Sequence, residues 1–150
     1  MGDELDIVIQ IICCTLGTLA FAITMKAPKH TMVYIAIGGL ITAGIERGLS
    51  LRTNDFFSCF TAMVVLSLFC EITARIIKEP TTIILMPSTI PLLPGSSIYY
   101  TMLYAIEGNS TLMKSYAYST ILAGLGISLG AVLSSAIVRI VFVLKKKSHL

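Results

Sequence analysis

Apolar residues form five long runs along the chain, and short polar segments separate them. The runs cover residues 5–25, 32–51, 56–77, 81–106 and 116–144. A helix crosses the hydrocarbon core of a bilayer with about 20 apolar residues, and every run reaches that length. The pattern predicts an all-α integral membrane protein with five transmembrane helices, which occupies residues 1–150 as a single membrane domain.

The fourth run differs from the others because three prolines, Pro87, Pro91 and Pro94, interrupt it. A proline lacks the backbone N–H donor and clashes with the preceding turn, so the three together predict a broken helix. In lipid, irregular backbone is tolerated only where it packs against protein or lines a wet cavity. The break is therefore a candidate site. A kinked helix that only fits its neighbours, and a segment that re-enters instead of crossing, are the alternatives.

The residues after the break suit the binding of a carboxylate. Gly95, Ser96 and Ser97 follow the last proline, and at the start of a new helix they offer free amide donors and hydroxyls. The N-termini of half-helices hold anionic substrate groups in transporters with broken helices. We therefore expect the three prolines, these three residues and Tyr99 to line a substrate pathway.

Few ionisable residues lie inside the apolar runs, and each is a further candidate for the pathway. Glu71 and Arg75 are four residues apart in the third run, so they share a helix face. They either line the pathway or form a structural ion pair, and Arg75 can also extend to the lipid interface. Arg47, beside Glu46 at the end of the second run, lies either at an outer gate or among the headgroups. Arg139 is expected to extend to the cytosolic headgroups.

The basic residues predict the orientation of the chain. With five crossings and an outside N-terminus, the inside holds Lys26, Lys29, Arg75, Lys78 and Lys145 to Lys147, and the outside holds Arg47, Arg52 and Lys114. With four crossings the two sides carry equal numbers. Because cytoplasmic loops are rich in Lys and Arg, the first arrangement is favoured, N-out and C-in.

Composition excludes the main soluble classes. The chain is 55% hydrophobic and 13% charged, whereas soluble domains have about 45–50% apolar and about 25% charged residues. A soluble enzyme is excluded, and a net charge of +3 argues against a nucleic-acid partner. Motifs of intramembrane enzymes are absent from the sequence, and its four cysteines form no metal-ligand pattern. We therefore expect no enzyme activity, metal or cofactor.

Small residues four positions apart predict where helices pack closely. Gly44 and Gly48 have this spacing in the second run, and Gly126 and Gly130 have it in the last. Such spacing lets helix backbones approach one another in membranes. It indicates a helix bundle and does not indicate a function.

The segment around the prolines resembles the signature of the threonine/serine exporter (ThrE) family. The resemblance is carried by Lys78-Glu79-Pro80, by Pro87, and by the run from Ile90 to Gly95. It extends to Phe21-Ala22 with Pro28, to the glycine-rich second helix ending at Arg47, and to the third helix ending at Arg75. Over nearly its whole length the chain is similar to the short YjjB-like subunit of the split members of this family.

The resemblance implies a function and a partner. It implies a subunit of a proton-gradient-driven secondary exporter, in the bacterial inner membrane, for threonine and serine or for C4 dicarboxylates. The partner would be membrane lipid and a longer YjjP-like five-helix subunit with a soluble N-terminal part, or else further copies of this chain. A non-transporting membrane scaffold or assembly subunit is the alternative function.

Overall fold

The computed structural model describes residues 2–50 and 53–147, with side chains at 8–50, 53–138 and 140. Its helices are α1 (Gly2–Thr24), α2 (Met32–Ser50), α3 (Asp55–Ile77), α4 (Thr81–Ser88), α5 (Gly95–Ile106) and α6 (Ser110–Lys147). Short 3-10 turns at Lys29–Thr31 and Ile90–Leu92 precede α2 and follow α4. The described segments contain no strand, so the predicted all-α class is confirmed.

The fourth apolar run forms two helices, as the predicted break implies, so the described chain has six helices in its five apolar runs. The axes of α4 and α5 differ by 48° across the break. Pro91 lies in the 3-10 turn and Pro94 directly precedes α5, where neither has to donate a helical hydrogen bond. Pro87, by contrast, lies inside α4, one residue before the helix ends.

The last helix begins at Ser110, six residues before the predicted start near Tyr116. Gly108 has a positive φ of 74°, which separates α5 from α6. The side-chain oxygen of Asn109 then accepts a hydrogen bond from the N–H of Leu112 at 3.3 Å, as a residue at a helix N-cap does. Hydropathy indicates where a helix enters lipid, and the cap determines where the helix begins.

Three described helices are long and apolar enough to cross a membrane, and the bent pair of α4 and α5 makes a fourth span if it crosses once. The three are Lys29–Ser50, Asp55–Ile77 and Ser110–Val138. Within the described side chains, α1 adds the shorter apolar helix Val8–Thr24. A multi-pass membrane protein is thus supported, while the fifth crossing and the N-out/C-in orientation stay predictions. The side chains of Arg139 and Lys145 to Lys147 lie outside the described residues.

Two connections meet at one end of the bundle. His30 Nε2, between α1 and α2, lies 3.3 Å from Glu79 Oε1, between α3 and α4. Lys26 and Lys78 each adopt a left-handed conformation, with φ of 54° and 58°, just after α1 and α3 end. These connections carry Lys26, Lys29 and Lys78, three of the basic residues that the orientation rule assigns to the inside. We call this end of the bundle the paired end.

Helix α3 lies at the centre of the bundle, where it packs against α2, α4 and α6. Its contact with α6 is close because α6 has glycines there. A Cβ atom added to Gly126 would lie 2.6 Å from the carbonyl oxygen of Phe56, and one added to Gly130 would lie 3.0 Å from that of Phe60. These two glycines therefore occupy a helix–helix contact, as small residues do in membrane bundles.

The glycines of α2 divide into two groups. At Gly38 and Gly39 an added Cβ would meet Ser88 Oγ at 2.6 Å and Thr18 Oγ1 at 2.7 Å, so α4 and α1 approach α2 there. At Gly44 and Gly48 no described atom lies within 4 Å of such a Cβ. The packing predicted for Gly44 and Gly48 is therefore not made within the described chain.

Candidate transport cavity

A half-enclosed cavity of about 640 Å³ lies where the proline break faces the end of α2 and the start of α3. All of the main helices except α4 contribute to its wall. The polar part of the wall includes Gln10, Glu46, Arg47, Ser50, Asp55, Ser58, Ser119 and residues 95–97. We call this end of the bundle the cavity end.

The break places the N-terminus of α5 in the cavity wall. Pro94 occupies the N-cap position and makes no side-chain capping hydrogen bond. The N–H of Gly95 donates to the carbonyl of Leu93 at 2.7 Å, and the N–H of Ile98 donates to that of Pro94 at 3.0 Å. Between them, Ser96 and Ser97 are in the first turn of α5, where amides have no partner within the helix. The positive end of the helix dipole is therefore directed at the cavity.

The end of α2 contributes one charge of each sign. Glu46 and Arg47 are both half-buried and both line the cavity. The hydroxyl of Ser58 donates to the carbonyl oxygen of Glu46 at 2.9 Å, which fixes the end of α2 against the first turn of α3. Among the described residues, neither Glu46 nor Arg47 forms an ion pair within 4 Å. Both charges therefore remain available to a ligand in the cavity.

Asp55 adds a second carboxylate at the mouth of the cavity. It is the first residue of α3 and is exposed. The hydroxyl of Ser119, in α6, donates a hydrogen bond to its Oδ2. This bond joins α3 to α6 across the cavity wall. The cavity thus combines a guanidinium, a helix N-terminus and two carboxylates.

Residues 10–137 match the family described as Threonine/Serine exporter, ThrE. The chain belongs to the threonine/serine exporter family. The matched segment contains the whole cavity wall, from Gln10 to Ala123. No curated protein and no solved structure matches the chain. The resemblance found in the sequence is confirmed, and the family is one of membrane transporters and not of enzymes.

The fold brings part of the predicted pathway together. The predicted pathway residues that line the cavity are Arg47, Pro91, Pro94, Gly95, Ser96 and Ser97. Arg47 and the break are far apart in the sequence, and they meet because the 3-10 turn after α4 packs against α2. Whether these residues bind substrate stays a prediction.

Two of the other predicted pathway residues lie outside the cavity wall. Pro87 is fully buried in the last turn of α4. Tyr99 is 62% exposed, and its ring lies 5.4 Å from that of Tyr100 in a cluster of tyrosines on α5 and α6. That cluster is completed by Tyr104 and Tyr116, whose rings are 5.6 Å apart.

Glu71 and Arg75 also lie outside the cavity wall. Arg75 Nη2 is 3.6 Å from Glu71 Oε2, so the predicted i,i+4 pair is formed. The pair is one to two turns from the end of α3 and lies towards the paired end. Its geometry agrees with the structural ion pair that the sequence left open.

Sequence reasoning missed Asp55, Ser119 and Gln10 as parts of the site. Asp55 follows a polar loop, and Gln10 and Ser119 are uncharged polar residues within apolar runs. Asp55 and Ser119 are 64 positions apart, and no local pattern relates them. Glu46 is recognisable in the sequence as an ionisable residue at the end of an apolar run. The sequence, however, relates it only to an outer gate beside Arg47.

Proposed function

We propose that this chain is the small membrane subunit of a proton-gradient-driven exporter of threonine and serine, acting with a second membrane subunit in the bacterial inner membrane. The observation that carries the proposal is the cavity. It places a free helix N-terminus and Arg47 beside Glu46 and Asp55. The substrate class comes from the description of the matched family, which is one of threonine/serine exporters.

The charges of the cavity complement those of an amino acid. The substrate carboxylate binds at the amides of Ser96 and Ser97 and at Arg47, because anions bind at helix N-termini and guanidinium groups bind carboxylates through two hydrogen bonds. The substrate ammonium binds at Glu46 and Asp55. The hydroxyl and amide groups of the wall, such as Gln10, suit the side-chain hydroxyl of threonine or serine.

The same charges disfavour a C4 dicarboxylate. One end of a dicarboxylate fits the N-terminus of α5 and Arg47, but its other end meets Glu46 or Asp55. Like charges held close together repel, and the repulsion is stronger away from bulk water. The cavity therefore favours a zwitterion over the dicarboxylates that the resemblance also implies.

A second subunit is needed to complete the cavity. The cavity is half-enclosed and polar, whereas the surrounding helices expose large apolar side chains, such as Leu16 of α1 and Tyr99 of α5. Ionisable groups in a membrane face a protein partner or water and do not face lipid. We propose that a longer five-helix subunit covers this opening, with further copies of this chain as the alternative. The open face at Gly44 and Gly48 is available for the same contact.

Reconstitution tests the proposed function. The exporter, purified with the membrane subunit that accompanies it, is placed in liposomes, and uptake of labelled threonine and of labelled succinate is measured with an imposed proton gradient. We expect transport of threonine and little transport of succinate. Arg47→Gln should weaken threonine binding roughly 10- to 100-fold, the value of a hydrogen bond to a charged group. Lys114→Gln, at an exposed position of α6, is the matched control.

Three results would contradict the proposal. Succinate transport without threonine transport would reverse the assignment of the substrate. Equal threonine affinity in Arg47→Gln and Lys114→Gln would remove the cavity as the binding site. Absence of any transport by the complete, folded complex would favour the scaffold function.

A further inference from the structure

We propose that Glu46 is the residue that carries the coupling proton of the exporter. The inference rests on the proposed function, in which a proton gradient drives export. It adds the group at which the proton and the substrate compete.

Of the five carboxylates with described side chains, only that of Glu46 belongs to a half-buried residue and makes no direct polar contact. Asp55 accepts the hydroxyl of Ser119, Glu71 pairs with Arg75, and Glu79 pairs with His30. Glu107 lies exposed at the tip between α5 and α6. A residue that exchanges a proton has to exist in both charge states, and an ion pair within contact distance would favour the charged state. This criterion selects Glu46.

The titratable groups around Glu46 come from three elements. Arg47 is its neighbour on α2, Asp55 and Cys59 face the cavity from α3, and Cys13 and Cys14 face it from α1. The break and the described part of α6 contribute no titratable side chain to this wall. Among the described side chains, the charged groups that face this wall beside Glu46 are therefore one guanidinium and one other carboxylate. Neither sign dominates, so both states of Glu46 can be occupied.

Glu46 also has access to space for water. Besides the main cavity, it lines a pocket of about 40 Å³ with Gln10, Cys14 and Pro91. A pocket of this size holds a water molecule, and the amide of Gln10 offers that water a hydrogen-bond partner. Glu46 thus lines both the main cavity and a space in which water can exchange a proton with it.

These positions define a proton-for-substrate exchange in which no covalent bond of the substrate changes. On the inner side, the Glu46 carboxylate has released its proton to water and binds the substrate ammonium. On the outer side, a proton from water attaches to a carboxylate oxygen of Glu46, and the neutral acid no longer attracts the ammonium, so the substrate leaves. The protonated residue returns and releases the proton inside. Each cycle exports one zwitterion and admits one proton.

The experiment measures proton release when threonine binds to the purified exporter complex in a weakly buffered solution. Because substrate and proton compete for one group, threonine should release up to about one proton per bound molecule at a pH where Glu46 is partly protonated. Glu46→Gln should reduce this release at least tenfold, and its threonine affinity should become independent of pH. Glu79→Gln is the matched control, since it changes a carboxylate at the paired end and should release protons as the unaltered exporter does. Asp55→Asn should bind threonine more weakly and still release the proton at saturation.

The outcomes separate the two proposals. If the unaltered exporter neither binds nor transports threonine, the proposed function fails. If it transports threonine but Glu46→Gln still releases the proton, or if Asp55→Asn loses the release instead, Glu46 is not the carrier. If Glu46→Gln does not fold, Glu46→Asp replaces it: we expect a shift in the pH at which release is half-maximal, and an unshifted profile would overturn the inference.

Discussion

The two ends of the bundle differ in whether their charged side chains form ion pairs within the described chain. At the paired end, His30 contacts Glu79, and Arg75 contacts Glu71. At the cavity end, Glu46 and Arg47 are adjacent in the sequence, and neither has an ion-pair partner among the described residues. The first pair joins two connections and the second lies within α3, and in both the charge is already partnered within the chain. Charges left without a partner beside a cavity are available to a ligand. This contrast locates the candidate site without reference to the family.

The two halves of the broken segment show the same division. Helix α4 is inserted in the bundle, with Ile84 and Ser88 fully buried and the Ser88 hydroxyl 3.3 Å from the carbonyl oxygen of Ile35. Helix α5 has no buried residue, and its main contact is with α6. Elements with few buried contacts open most readily. The anchored half therefore holds in place the 3-10 turn that lines the cavity, whereas the peripheral half is held mainly by α6.

We expect the largest effect from a substitution at the contact between α3 and α6, which tests whether this packing forms the cavity end. Gly126→Leu would push a side chain into the Phe56 carbonyl, where even a Cβ would approach to 2.6 Å. Overpacking of this kind costs about 1–3 kcal/mol or more, so we expect a large loss of folded protein, measured by size-exclusion yield and thermal unfolding in detergent.

Gly124→Leu is the matched control for that substitution. It lies two residues away on the same helix, and no described atom is within 4 Å of an added Cβ. Its yield and unfolding temperature should remain close to those of the unaltered chain. Equal losses for the two substitutions would show that the added apolar bulk, and not the α3–α6 contact, determines the result, because leucine is a better helix former than glycine.

A smaller effect is expected at the bond that joins α3 to α6 in the cavity wall. Ser119→Ala removes the hydroxyl that donates to Asp55. A hydrogen bond contributes about 0.5–1.5 kcal/mol, so we expect KM for threonine to rise roughly 2- to 10-fold while the protein remains folded. Ser115→Ala, at an exposed position one turn earlier, serves as the control. A change in stability without a change in KM would mean that the bond holds the helices together and does not position Asp55.

Local rules predicted the break but not the complete wall of the cavity. Pro91 and Pro94 predicted a new helix at Gly95 because the loss of backbone donors is a property of the residue itself. The contact of Asp55 with Ser119 depends on how α3 and α6 pack, and that packing depends on Gly126 and Gly130 meeting the backbone of α3. Spacing indicated that these glycines pack, but spacing does not identify the helix that they contact.

The smallest expected effect decides between the two interpretations of Glu71. Glu71→Gln keeps the shape of the side chain and removes the charge that faces Arg75 at 3.6 Å. Because the Arg75 side chain is 46% exposed and exposed ion pairs contribute at most about 1 kcal/mol, the unfolding temperature should fall by no more than about 4 °C. Because the pair lies outside the cavity wall, the rate of threonine transport should stay within about twofold of that of the unaltered chain. A tenfold change in rate would need a free-energy difference of about 1.4 kcal/mol. Loss of transport with unchanged stability would instead place Glu71 on the pathway, and it would show that a charge partnered within the chain can also serve the substrate.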